Sequence, residues 1–147
     1  MTPPAPPSPS TSPRLSARII HSALVLGVLL FLLVAWRLGE TEHARPLEAL
    51  PHRRVLYAVL FLLSLALFGA ARFAAARLAP RPRAASLDDW WRQHLPRVVV
   101  IWALVEAPAV LGIAAYVLTR DFRTLIATLA GLVFFAQYAP GRLAGRE

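Results

Sequence analysis

"VVVIWALVEAPAVLGIAAYVLT", Val98 to Thr119, decides how the rest of the chain is read. It carries one charge, Glu106, and a proline follows two residues later. Crossing a bilayer core of about 30 Å takes roughly 20 residues of helix. This stretch has that length, and its apolar residues fall on every side of a helix. Such a helix offers no face to water, which argues against a short core helix of a soluble domain and for a membrane span. Three more uncharged blocks occur, at Ile19–Trp36, Val55–Ala71 and Thr124–Gly141. The expected fold class is therefore all-α: an integral membrane four-helix bundle with spans near 19–37, 55–76, 98–119 and 122–139.

Composition narrows the function classes. The 147 residues are 57% hydrophobic, which suits one membrane domain, and no cysteine is present for a disulfide or a thiolate metal site. All 16 basic residues are arginine against 8 acidic ones, for a net charge of +8. With abundant Ala, Leu and Pro, that points to a GC-rich bacterial genome. A soluble protein this basic would suggest nucleic acid. Here the arginines border the apolar blocks, so the charge is topological and no nucleic-acid partner is expected.

The arginine distribution sets an orientation. With four spans, both termini share a side with the loop from Arg72 to Arg97. That side holds Arg14, Arg18, Arg72, Arg77, Arg81, Arg83, Arg92, Arg97, Arg142 and Arg146; the other holds Arg37, Arg45, Arg53, Arg54, Arg120 and Arg123. The excess places both termini in the cytoplasm of the bacterial inner membrane. Residues 1–17 read as a disordered Pro/Ser-rich tail, and 140–147 as a C-terminal tail. The first apolar block is long, and no small-x-small site follows it, so it reads as a retained span and not a cleaved signal.

Two smaller patterns add detail. "SLDDWWRQHLP" (Ser86–Pro96) opens with a capping signal and closes on proline, which predicts a separate helix over about 86–95 lying in the interface. Trp90 and Trp91 are then placed at the headgroups. "IIHSALVLG" (Ile19–Gly27) also echoes "VVIWALVEA" (Val99–Ala107) at a constant offset, which suggests two duplicated helical hairpins in parallel.

Glu106 is the candidate site residue. An ionised carboxylate at mid-span costs about 3 kcal/mol on insertion scales, so the neutral acid is the expected resting form. Pro108 lacks an N–H, which frees the carbonyl of Leu104. Glu106, Leu104 and Pro108 together read as a polar site for a proton or a desolvated cation. Ala109 and Gly112 form a small-residue stripe where a neighbouring helix can approach closely. The competing reading is structural, with Glu106 only hydrogen-bonding one helix to another.

Elsewhere chemistry is sparse. Glu40, Glu42, His43, Glu48 and His52 gather in the first loop, but their spacing matches no metal motif and a solvated loop is the expectation. No phosphate loop, nucleophile elbow or zincin helix occurs. No enzyme activity, cofactor or metal is expected.

At "ALVEAPAVLGIAAYVL" the chain resembles the carboxyl-bearing helix of the rotary ATP synthase proteolipid, subunit c. Ala103, Leu104, Glu106, Ala107, Ala109 and Gly112 fall in step with that family's pattern. The resemblance implies a glutamate that gains and loses a proton, a cytoplasmic loop before its helix, and self-association. It covers this helix alone. The second span carries only Gly69 where the family has closely spaced glycines, and the glutamate sits on the third span of four. The sequence thus supports a c-like protein binding a proton or cation, with the bilayer and either further copies or a membrane-complex partner around it. The alternative is a non-catalytic structural or accessory subunit.

Overall fold

The computed structural model describes residues 12–40, 53–79 and 86–145; these are helical almost throughout, with no strand among them. The order is α1 (Pro13–Glu40), α2 (Arg53–Ala76), α3 (Leu87–Thr119), a 3-10 turn (Phe122–Thr124), α4 (Leu125–Gln137) and α5 (Pro140–Ala144). The proline-rich start up to Thr11 lies outside the described residues. So do Glu42, His43, Glu48 and His52 of the first loop.

α1, α2 and α3 are each long and apolar enough to cross a membrane. At 1.5 Å per residue they measure about 42, 36 and 50 Å. α4 has 13 residues, or about 20 Å, less than the hydrocarbon core. The predicted fourth span at 122–139 is therefore a composite. A 3-10 turn precedes α4, a break follows at Tyr138–Ala139, and α5 carries the chain on through what was expected to be tail.

Two starts differ from expectation. α1 begins at Pro13, inside the stretch read as a disordered tail. Ser12 Oγ accepts a hydrogen bond from the Leu15 N–H at 3.3 Å, and proline suits the first helical position because its missing N–H would have had no partner there. The last proline of the tail is a helix starter.

The second difference is that no separate interfacial helix exists. Residues 87–95 are the first turns of α3, which runs unbroken through Pro96 and Pro108. Ser86 caps it, its Oγ accepting from the Asp89 N–H at 3.1 Å. Pro96 removes the bond to the carbonyl of Arg92, an exposed residue whose carbonyl can turn to solvent, so one proline does not end the helix. The continuous helix also carries Trp90 and Trp91 inward. They are 4% and 1% exposed, packed within the chain instead of on its surface. Trp90 Nε1 donates to the Ala79 carbonyl at 3.1 Å, and its ring stacks on His94.

α3 is the hub, because α1, α2 and α4 each pack chiefly on it. Two equivalent hairpins would pair α1 with α2 as closely as α3 with α4, and that pairing is not among the principal contacts. The parallel echo does correspond to geometry. His21 lies against Trp102, and Arg120 Nη2 donates to the Leu38 carbonyl at 3.0 Å, so α1 runs parallel to α3 in steady register. α2 runs antiparallel, with Tyr57 OH donating to Asp121 Oδ2 at 2.7 Å. α4 is antiparallel as well.

Val98, Ile101, Trp102, Val105, Ala109 and Ile113 make the buried stripe of α3, met by Ala17, Val28 and Ala35 of α1. The outer faces are apolar too: Leu26, Leu30, Leu33, Phe61, Leu62 and Leu65 are all exposed. A surface this apolar suits hydrocarbon and not water.

Candidate functional site

The site is framed by the seam between α3 and α4. A Cβ added to Gly112 would stand 2.7 Å from Thr128 Oγ1 and 2.8 Å from the Thr124 carbonyl oxygen. One added to Gly131 would stand 2.7 Å from Ala109 Cβ. The small stripe of Ala109 and Gly112 therefore does what small residues do in apolar bundles, admitting a helix at close range. The helix admitted is α4 of the same chain. Thr128 Oγ1 also donates to the Ala109 carbonyl at 2.8 Å, a buried bond across the seam.

The far end of α4 is closed by rings from two other helices. The last carbonyls of a helix have no partner within it, and in hydrocarbon each needs a donor. Trp102 Nε1 donates to the Tyr138 carbonyl at 2.9 Å. His21 Nε2 lies 3.1 Å from the Phe135 carbonyl oxygen. A carbonyl only accepts, so Nε2 carries the hydrogen, and in the neutral ring Nδ1 is left as an acceptor.

Glu106 sits one turn beyond Trp102 on the same flank of α3, since residues four apart are neighbours on a helix. His21 rests edge-on against Trp102 at 5.1 Å between ring centres, so this flank is the one that meets α1. Glu106 is half-buried. No described residue hydrogen-bonds or ion-pairs with its carboxyl.

The remaining predicted residues are not gathered around it. Pro108 is fully buried. Being two positions from Glu106, it points to the opposite side of the helix, as does the carbonyl of Leu104 that it frees. The polar site of Glu106 with the Leu104 carbonyl is thus not assembled on one face. What lies on Glu106's own flank is His21 and Trp102. His21, 85 positions from Glu106 in the sequence, is brought to Trp102 only by the packing of α1 on α3.

Chemically, a lone half-buried carboxyl suits the holding of a proton. A divalent ion needs several hard ligands, and no group of three His, Asp or Glu side chains comes together among the described residues. A second concavity, an apolar cleft of ≈ 440 Å³ between α2 and α4, is lined by Tyr57, Phe61, Ser64, Phe68 and Arg123. Ser64 Oγ, shielded and without a partner, faces no second polar group that would make a reacting pair.

No family model, curated protein or solved structure matches the chain.

Proposed function

We propose that this chain is an integral membrane protein of the bacterial inner membrane that binds and releases a proton at Glu106. The observation that carries this reading is a half-buried carboxyl, midway along the central helix, with no partner among the described residues. A glutamate retained only to tie helices together within the chain needs a donor or acceptor on a neighbour, and none is present among the described residues. A proton neutralises the carboxyl without further ligands, whereas a metal cation requires them. Trp102, against which His21 packs, lies one turn from Glu106 towards the end that carries Arg14 and Arg18.

The same observation supports a second reading, in which the chain is an accessory subunit and Glu106 bonds to a helix of a partner or of another copy. Infrared titration of the purified protein separates the two. Under proton exchange, the C=O stretch of a protonated carboxyl should be present, should fade as bulk pH rises, and should be missing in Glu106→Gln. A band insensitive to pH, or one that survives in Glu106→Gln, would count against exchange at this residue.

The arginine excess gives an orientation to test. Single cysteines at Ser10 and Ser86 should be shielded from a membrane-impermeant maleimide in intact cells, and one at Thr41 should react. The opposite pattern would invert the proposed topology.

A further inference from the structure

Where α1, α3 and α5 meet, they leave a cleft of ≈ 190 Å³. Arg14 and Arg18, one turn apart on α1, line it together with Leu87 and Trp91 of α3 and with Pro140 and Gly141 of α5. Trp91 is 1% exposed, so the cleft has a rigid aromatic wall. Neither guanidinium has an ion pair or hydrogen bond with a described residue. The acidic residues at the start of α3 do not neutralise them. Asp89 is taken up by Arg92 at 3.2 Å and by the Ser86 hydroxyl at 2.6 Å, and Asp88 pairs with neither arginine. Two like charges four residues apart on a helix repel each other, so the free cleft holds charge that an anion would relieve.

We propose that this cleft binds a phosphate group, carried by the headgroup of an anionic phospholipid. Guanidinium is the side chain best matched to phosphate, because its fork of donors meets the oxygens pairwise. Basic pockets between membrane helices are where anionic headgroups settle. The volume is small for a nucleotide and sufficient for a phosphate, while the partly exposed Leu87 offers apolar surface to the glycerol and ester region behind it. Inorganic phosphate shares the recognised chemistry and is the other source to be distinguished.

The test uses the full chain in neutral detergent, titrated with phosphatidylglycerol, phosphatidylcholine or inorganic phosphate while the thermal unfolding midpoint is followed. Phosphatidylglycerol should raise the midpoint saturably, and phosphatidylcholine should not. Arg14→Gln with Arg18→Gln should weaken the phosphatidylglycerol response roughly thirtyfold, and each single change roughly fivefold. Arg72→Gln with Arg77→Gln removes equal charge from α2 and the turn that follows it, outside the cleft, and should leave the response within roughly twofold. Inorganic phosphate acting as strongly as the lipid would keep the site and assign it to the free ion. Three outcomes would overturn the proposal: no response to phosphatidylglycerol, an equal response to phosphatidylcholine, or an equal loss in the Arg72 and Arg77 double variant, which would mean a diffuse positive surface.

Discussion

Replacing Gly112 with leucine should pry α4 from α3 and destabilise the protein by about 3 kcal/mol, the upper part of the usual range for overpacking. The first added carbon already stands 2.8 Å from the Thr124 carbonyl oxygen. That atom belongs to the backbone just before α4 and cannot swing aside as a side-chain end can. The rest of the leucine would have to displace Thr128 as well, and with it the bond from Thr128 to the Ala109 carbonyl. Gly69 is the internal control, because a Cβ there meets nothing within 4 Å. Thermal unfolding in detergent should show a large drop for Gly112→Leu and almost none for Gly69→Leu. Equal, small effects would mean that α4 does not pack on this stripe.

Trp102→Ala should be comparably severe, at about 3–5 kcal/mol, because it empties a fully buried site at the meeting point of α1, α3 and α4. Trp102→Phe isolates one component of that loss. The ring is largely kept, but the Tyr138 carbonyl loses its donor, and an unsatisfied buried carbonyl costs roughly 1–3 kcal/mol. The order should be wild type, then Phe, then Ala in falling unfolding midpoint. An alanine variant no worse than the phenylalanine one would show that Trp102 supplies the hydrogen bond but little packing.

The helices were legible in the sequence because apolar blocks of spanning length leave few other solutions. What was misread follows from one weakness: proline has two meanings. Pro13 falls inside the stretch expected to be tail and Pro96 at the expected end of a short helix, yet one starts a helix and the other sits inside one. A linear string does not reveal whether the carbonyl freed by a proline can turn to solvent. The burial of Trp90 and Trp91 was hidden for the same reason, since an interfacial helix and the first turns of a longer helix have the same residues and differ only in what packs on them.

The candidate site divides the same way. Glu106 stands out in any reading, because a charge in an apolar span is rare and costly. Its neighbours do not. Leu104 and Pro108 are near it in sequence and turned away from it on the helix, while His21 is far away in sequence and shares its flank. Likewise Ala109 and Gly112 announce a close approach without saying which helix makes it, and the answer, α4, depends on a short return after the left-handed turn at Arg120 (φ 55).

The central claim is that Glu106 is a protonated acid within the bilayer, and a hydrophobic carbodiimide tests it most directly, because the reagent partitions into membranes and reacts with the protonated carboxyl. Membranes containing the protein are treated near neutral pH, and the sites of modification are mapped by mass spectrometry. Glu106 should be modified, Glu40, Glu42 and Glu48 should remain largely unmodified, and the labelling should vanish in Glu106→Gln. An unreacted Glu106 beside modified loop glutamates would contradict the account.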